Sequence, residues 1–137
     1  MLNKPPGKIL IADNDEDVLI AIEHALETSG YTTVTAFCHD EASKLFRDET
    51  FDLCVLDDYL SDRDSTDFLA ELQTPGRGPL IVLTYHRFPS PQQEERFRCL
   101  GVSAFVNKRA HSQLVDIVSH LLRPMNRRPS GALYNMT

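Results

Sequence analysis

The sequence predicts an α/β protein, a doubly wound parallel sheet of five strands with helices on both faces. Four short apolar runs, at residues 9–12, 53–56, 80–83 and 104–106, are each followed by polar or charged residues. Continuous apolar runs of this length are typical of strands buried on both faces of a parallel sheet. Helix-like segments alternate with the strands, which gives a βα unit repeated five times.

The first half of the chain supplies two βα units. The run at residues 9–12 leads into a helix with apolar residues at helical spacing, and Gly30 is placed as its stop. Residues 32–37 are rich in β-branched side chains and predict the second strand. Residues 40–48 carry their apolar side chains on one face and predict the second helix.

The second half supplies three more helices. Residues 64–72 predict the third helix, which the Pro-Gly pair at 75–76 ends. Residues 90–93 have the pattern of a capping box, with Ser90 as N-cap and a proline in the first turn, and predict the start of the fourth helix. An apolar stripe over residues 114–121 predicts the last one.

The predicted strand order brings polar residues together. Right-handed crossovers leave few topologies, and the order 2-1-3-4-5 is the simplest that puts the first and third strands side by side. The C-terminal ends of parallel strands lie at one edge, where open α/β sheets bind ligands. Asp13, Asp57, Thr84 and Lys108 would meet there, in a site suited to a hard cation and a phosphoryl group. As an alternative, strand-end acids can simply cap the helices that follow them.

Composition bounds the function. The chain has 137 residues and fits one domain at residues 8–122, with an N-terminal extension at 1–7 and a basic flexible tail or linker start at 123–137. A net charge of −6 argues against nucleic acid as a direct partner. No apolar stretch is long enough to predict a membrane span.

The cysteines indicate the compartment. Cys38, Cys54 and Cys99 are odd in number and lack the spacing of metal ligands. Cys54 lies in a strand-like run and is expected in the core. Free thiols predict a reducing compartment, which favours a cytoplasmic location.

Four motifs, taken together and in order, resemble a known family. They are Ile-Leu-Ile-Ala-Asp-Asn-Asp at 9–15, Asp-Leu-Cys-Val-Leu-Asp-Asp-Tyr-Leu at 52–60, Ile-Val-Leu-Thr at 81–84 and Phe-Val-Asn-Lys at 105–108. This pattern is similar to the receiver domain of two-component response regulators, the CheY-like family. The resemblance covers nearly the whole of residues 8–122 and implies a flavodoxin-like fold.

The resemblance implies roles for individual residues. The family pattern Leu-Asp-x-x-Leu fits Leu56, Asp57 and Leu60, which makes Asp57 the phosphoacceptor and leaves Asp58 outside the frame. The Lys108 ammonium would pair with one phosphoryl oxygen, and the Thr84 hydroxyl would bond another. In the same family, Thr84 and Phe105 would form the switch that responds to phosphorylation.

The resemblance also implies a magnesium site. Its ligands would be Asp13, Asn14, Asp57 and the backbone carbonyl of Tyr59. A carboxylate can attack phosphorus and form an acyl phosphate, and neutralising the charge of the transferred group supplies most of the catalysis. The donor would be a phosphohistidine on a sensor histidine kinase or a histidine phosphotransfer protein.

Five residues depart from the family pattern. Asn14 stands where a second acid is usual, and losing that charge predicts weaker magnesium binding, by about fivefold to a thousandfold. Arg109 replaces a proline, which predicts a trans bond after Lys108. Tyr85 replaces a small residue and could narrow access to the site. Ser61 and Ser65 replace the usual proline and glycine of the loop after the acceptor.

These features leave more than one function open. The leading hypothesis is a phosphoreceiver that acts by protein–protein interaction with an unknown output protein, as a monomer or a weak phosphorylation-dependent dimer, without contacting nucleic acid or membrane. The alternative is a degenerate receiver, a phosphorylation-independent interaction module. A magnesium-dependent phosphatase is disfavoured, because Tyr59 stands where such an enzyme needs a second acid. The chain is not predicted to be an enzyme beyond catalysing its own phosphorylation and dephosphorylation.

Overall fold

A computed structural model describes residues 7–60, 63–72 and 78–123. Within these ranges strands and helices follow one another along the chain as β1 (Lys8–Ala12), α1 (Glu16–Thr28), β2 (Thr32–Ala36), α2 (His39–Asp48), β3 (Leu53–Asp57), β4 (Tyr59–Leu60), β5 (Arg63–Asp64), α3 (Thr66–Leu72), β6 (Leu80–Tyr85), α4 (Pro91–Cys99), β7 (Val102–Asn107) and α5 (His111–Leu121).

One parallel sheet organises the molecule. Its strand order is β2-β1-β3-β6-β7, so the predicted fold class and the order 2-1-3-4-5 are confirmed. The central strand β3 is buried at all five positions, as expected for a strand covered on both faces. The register sets Asp57 directly beside Thr84 of β6, which brings two strand ends to the same point of the edge.

Two apolar layers cover the sheet. One layer includes Leu19, Ile22 and Leu26 of α1 together with the apolar stripe of α5. The other includes Phe68 and its neighbours on α3 together with Phe97 of α4. Because helices bury both faces, polar side chains can gather only along the edges of the sheet.

The helix ends follow the predicted signals. Gly30 has a φ of 98° just after α1, a backbone conformation that glycine adopts at little cost. Ser90 accepts a hydrogen bond from the backbone N–H of Gln93, whose side chain accepts one from the backbone N–H of Ser90, which confirms the capping box. Cys54 is fully buried, as predicted.

The structure differs from prediction after β3. Residues 64–72 were expected to form one helix, but α3 begins at Thr66, and Asp64 belongs to the antiparallel pair β4–β5. The second strand ends at Ala36, one residue earlier than predicted. Residues 1–6 of the predicted extension, Ser61, the breaker at 75–76 and residues 124–137 of the predicted tail lie outside the described residues. Across the described ranges, no helix has the length and apolar character needed to cross a membrane.

Candidate functional site

The site is built around one lysine at the carboxyl edge of the sheet. The Lys108 ammonium nitrogen lies 3.1 Å from Asp57 Oδ2 and 3.2 Å from Asp13 Oδ2. The side chains are only 12%, 5% and 2% exposed for Lys108, Asp57 and Asp13 respectively. An ammonium group thus bridges two carboxylates that are almost completely shielded from water. Burying charged groups is costly unless they are paired with opposite charges, as these are.

Backbone hydrogen bonds place Lys108. Its N–H donates to the carbonyl of Tyr85 at 2.9 Å, which extends the pairing of β6 and β7 by one residue. The Asn107 side chain then accepts from the N–H of Arg109 at 2.9 Å. The described residues contain no cis peptide bond, so the bond after Lys108 is trans, and the ammonium still reaches both carboxylates.

Asp13 follows β1 directly. Its Oδ1 accepts a hydrogen bond from the backbone N–H of Asp15 at 2.8 Å. Its Oδ2 is buried and accepts no hydrogen bond within the part of the chain that the structure describes. Burial raises the pKa of Asp13. The hydrogen bond from Asp15 and the positive charge of Lys108 offset part of this rise.

A different acid caps the first helix. The side chain of Asp15 accepts hydrogen bonds from the backbone N–H groups of Asp17 and Val18 at the start of α1. From the sequence alone, strand-end acids could simply cap the helices that follow them. For α1, the capping residue is Asp15 and not Asp13. The carboxylate of Asp13 is directed to Lys108 instead.

Asp57 ends the central strand. Its carbonyl oxygen accepts a hydrogen bond from the Ser65 hydroxyl at 2.5 Å, so Ser65 connects the residues before α3 to the end of β3. Burial raises the pKa of Asp57 to about 6, although Lys108 acts in the opposite direction. A buried carboxylate that is costly to ionise is a characteristic feature of functional sites.

Asp58 joins the same cluster, which the sequence reasoning missed. Its carboxyl group is half-buried and contributes to the raised pKa of Asp57, and burial raises the pKa of Asp58 as well. Its backbone N–H donates to the carbonyl of Thr84 at 2.9 Å, and its own carbonyl accepts from the N–H of Ser65 at 3.0 Å. The only sequence signal for this position was the pair of adjacent acids at the end of the strand. The motif Leu-Asp-x-x-Leu fits the first acid, so the second was left out of the predicted site.

The two predicted switch residues occupy different environments. Thr84 is 1% exposed, and its hydroxyl donates a long hydrogen bond of 3.4 Å to the carbonyl of Leu56. Phe105 is 5% exposed. Its ring packs against Phe88 at 5.8 Å and lies under the Arg98 guanidinium at 4.9 Å.

Tyr85 belongs to this aromatic cluster. Its ring meets Phe88 edge-on at 5.2 Å and packs against the core layer that contains Phe97 and Phe105. Successive strand residues point to opposite faces, so Tyr85 and Thr84 face different sides of β6. The aromatic group therefore supports the packing beneath α4.

The predicted cation ligands are only partly brought together. The carboxylates of Asp13 and Asp57 converge on Lys108. Asn14 and Tyr59 follow these acids in the chain and are exposed. Among the described residues, no group of three or more His, Cys, Asp or Glu side chains is arranged to hold a metal ion. The two carboxylates are nevertheless the hard oxygen donors that magnesium prefers.

Comparisons with known proteins agree with this geometry. Residues 9–119 match the model of the response regulator receiver domain family. The chain is 33% identical over 81 residues to the alginate biosynthesis transcriptional regulatory protein AlgB of Pseudomonas aeruginosa, covering 58% of this chain and 18% of AlgB. It is 36% identical over 78 residues to the alkaline phosphatase synthesis transcriptional regulatory protein PhoP of Bacillus subtilis, covering 56% of this chain and 32% of PhoP. The chain thus spans a third or less of these curated relatives.

A solved structure supports the same assignment. A two-component response regulator from Clostridium difficile superposes with a TM-score of 0.78 at 26% identity, covering 88% of this chain and 99% of that one. The family match extends over most of the chain and includes all the residues that surround Lys108. The chain therefore belongs to the response regulator receiver domain family and is a receiver domain of two-component signalling.

Proposed function

We propose that Asp57 accepts a phosphoryl group from a phosphohistidine on a sensor histidine kinase or a histidine phosphotransfer protein. The observation that carries this proposal is the bridge that Lys108 makes between the buried carboxylates of Asp57 and Asp13. The bridge puts a nucleophile, a cation and a second acid within a few ångströms. Thr84, beside Asp57 in the next strand, adds a hydroxyl to the same edge.

The transfer step is a displacement at phosphorus. A carboxylate oxygen of Asp57 attacks the phosphorus atom, and the phosphorus–nitrogen bond of the donor breaks. The imidazole leaves with the bonding electron pair, and Asp57 becomes an acyl phosphate. Lys108 then pairs with a phosphoryl oxygen in place of the carboxylate, and the Thr84 hydroxyl leaves its weak bond to the Leu56 carbonyl to donate to another.

The site also fits magnesium. The buried Oδ2 of Asp13 accepts no hydrogen bond among the described residues, and its ion pair with Lys108 at 3.2 Å is one that a bound cation would replace or share. Asp13 and Asp57 would hold the ion, and the Asn14 amide oxygen and the Tyr59 carbonyl would complete its protein ligands. When bound, the ion supplies positive charge that offsets the negative charge of the phosphoryl group.

The acceptor is tested by phosphorylating the intact chain. Incubation with acetyl phosphate and magnesium should add one phosphoryl group, measured by intact-protein mass spectrometry. Asp57→Asn should abolish the gain, whereas Asp48→Asn, which removes an exposed acid at the end of α2, should keep it. A wild-type chain that gains no mass would favour the degenerate receiver. A gain that survives in Asp57→Asn would show that another residue is the acceptor.

The remaining properties extend this proposal. The phosphorylated chain would signal by binding an output protein, rather than by contacting nucleic acid or membrane, and its only catalysis would be its own phosphorylation and dephosphorylation. We also propose a cytoplasmic location, which the free cysteines favour. We expect a monomer, or a weak dimer that forms on phosphorylation. Sedimentation equilibrium with and without acetyl phosphate tests this, and a concentration-independent dimer of the unmodified chain would contradict it.

A further inference from the structure

We propose that Ser65 is a positioning residue for phosphoryl transfer: its hydroxyl holds the main-chain carbonyl of Asp57 and thereby aims the acceptor carboxylate at Lys108. This inference rests on the proposed function, because it concerns the same acceptor. Ser65 is fully buried, so it acts through the backbone of Asp57 and not by contact with the phosphoryl donor.

The peptide group that follows the acceptor is held at both ends. Its carbonyl oxygen, on Asp57, accepts a hydrogen bond from the Ser65 hydroxyl at 2.5 Å. Its N–H, on Asp58, donates to the carbonyl of Thr84 in β6 at 2.9 Å. Rotation of this peptide group about the Cα–C bond of Asp57 would break both hydrogen bonds. The two bonds therefore fix the direction of the backbone at the acceptor.

The two bonds depend on the sequence in different ways. The bond to Thr84 joins main-chain atoms, and any residue other than proline could donate it from position 58. The bond to the Asp57 carbonyl requires a side-chain donor at position 65. A serine hydroxyl has one hydrogen to donate, and Ser65 donates it to Asp57. The identity of residue 65 thus controls half of this arrangement.

The backbone of Ser65 is itself firmly held. Its N–H donates to the carbonyl of Asp58 at 3.0 Å, and its carbonyl accepts from the N–H of Leu69 at 2.9 Å in the first turn of α3. With the hydroxyl bond, every polar group of this buried residue has a partner. Ser65 is therefore a rigid support, which transmits the position of α3 to the end of β3.

The acceptor needs such a support because group transfer depends on aim. Asp57 Oδ2 lies 3.1 Å from the Lys108 ammonium, and the same carboxylate must face the phosphorus atom of the donor. Misplacing a reacting group by about 1 Å can cost about a hundredfold in rate. The side chain and the peptide group of Asp57 share one Cα atom, so holding the peptide group limits how far the carboxylate can move.

The test separates the rate of transfer from the binding of the donor. The full chain is incubated with saturating magnesium and a range of acetyl phosphate concentrations, and the gain of phosphoryl groups is followed by intact-protein mass spectrometry. Ser65→Ala should lower the maximal rate about tenfold, because the carboxylate loses its aim. The acetyl phosphate concentration that gives half the maximal rate should stay within about twofold of the wild-type value. Ser65→Thr keeps a hydroxyl and should recover most of the rate.

A second buried serine provides the matched control. Ser43 is 5% exposed, and its hydroxyl donates to Glu71 at 2.8 Å, which joins α2 to α3 and involves no residue of the site. Ser43→Ala should destabilise the protein to a similar degree, since it also removes a buried hydroxyl bond, but should leave the maximal rate unchanged. Equal slowing by the two alanine variants, or no slowing by Ser65→Ala, would overturn the inference.

A further variant covers the case in which Ser65→Ala does not fold. Ser65→Cys keeps a side chain of the same connectivity, but its S–H is a weak donor. It should slow the maximal rate in the same way as Ser65→Ala. A Ser65→Cys variant that reacts as fast as the wild-type chain would show that the hydroxyl bond does not position the acceptor.

A spectroscopic readout distinguishes this inference from the proposed function. The NMR signal of the Lys108 ammonium in the unphosphorylated chain reports on the carboxylates that it bridges, and it should move in Ser65→Ala but not in Ser43→Ala. If the wild-type chain gains a phosphoryl group while the signal stays in place, the acceptor role stands and the role of Ser65 falls. If the signal moves but the wild-type chain gains no phosphoryl group, Ser65 positions the carboxylate in a receiver without phosphotransfer.

Discussion

The Lys108 ammonium lies 3.1 Å from the carboxylate of Asp57, and this ion pair lies almost entirely out of contact with water. Burial raises the pKa of Asp57 while Lys108 opposes that rise, so the pair is a balance between desolvation and attraction. Buried pairs of this kind contribute little net stability when complete, but removing one partner is costly because the other charge remains buried.

Removing the ammonium should therefore destabilise the protein. We expect Lys108→Met to lower the free energy of unfolding at pH 7.5 by about 3 kcal/mol, because Asp13 and Asp57 lose their common partner. Chemical denaturation measures the change. Lys44→Met, at an exposed position of α2, is the matched control and should shift stability by under about 0.5 kcal/mol. Equal effects of the two substitutions would contradict the role of the bridge.

The raised pKa of Asp57 makes stability depend on pH. The folded state raises this pKa from 3.8 to about 6, so folding favours the protonated acid. This preference adds about 3 kcal/mol to the free energy of unfolding at pH values below the pKa of the unfolded state. The added stability is lost as the pH rises through about 6. Asp57→Asn, which cannot ionise, should lack this loss.

Thermal unfolding of the magnesium-free protein between pH 5 and pH 7.5 measures this effect. The stability of Asp57→Asn relative to that of the wild-type chain should increase by about 1 kcal/mol across that range, since part of the loss falls below pH 5. The same comparison with Asp48→Asn, an exposed acid, should give parallel curves. A relative stability that does not increase with pH would mean that the folded state does not raise the pKa of Asp57.

Ser65 should be needed to hold the acceptor loop. Its hydroxyl donates to the Asp57 carbonyl, and the residue is fully buried. Ser65→Ala should cost about 1–2 kcal/mol of folding free energy, because a buried carbonyl loses its donor. Ser112→Ala, at an exposed position of α5, should have little effect. Hydrogen exchange should also show faster exchange of the Asp58 and Ser65 amides in the Ser65 variant. Unchanged exchange would show that the backbone bonds alone hold the loop.

Arg98 should help to keep Phe105 buried. Its guanidinium lies 4.9 Å from the centre of the Phe105 ring and is held there by a salt bridge to Glu94 at 2.8 Å. Arg98→Ala should destabilise the protein by about 1–2 kcal/mol and move the aromatic NMR signals of Phe105, since both the cation–π contact and the helical ion pair are lost. Arg96→Ala removes an exposed arginine from the same helix. If both variants shift the Phe105 signals equally, the contact does not hold the ring.

The sequence predicted the sheet and the meeting of Asp13, Asp57 and Lys108. Strands made of continuous apolar residues are stable only when both faces of the sheet are buried. The right-handed crossovers between parallel strands then restrict the strand order. Once the strands are parallel, their polar C-terminal residues must share an edge. The prediction therefore depended on backbone topology, which a pattern of residue types constrains strongly.

The sequence did not predict the β4–β5 pair, the role of Ser65 or the inclusion of Asp58 in the acidic cluster. Each depends on the path of the loop after β3, and a one-residue change in that path would turn the Asp58 side chain away from Asp57. The contact of Arg98 with Phe105 likewise joins a helix to a strand, so helical periodicity alone could not identify it.

The order of apolar runs and polar strand ends thus determined the fold, the edge that carries the site and the acids available there. Only the tertiary structure decided that the Lys108 ammonium bridges both carboxylates, because ion pairing depends on side-chain directions and burial that the pattern does not encode. The pKa values of the acids also depend on the tertiary structure. The sequence gives the number of acids, but the cost of ionising each one depends on how far folding removes it from water.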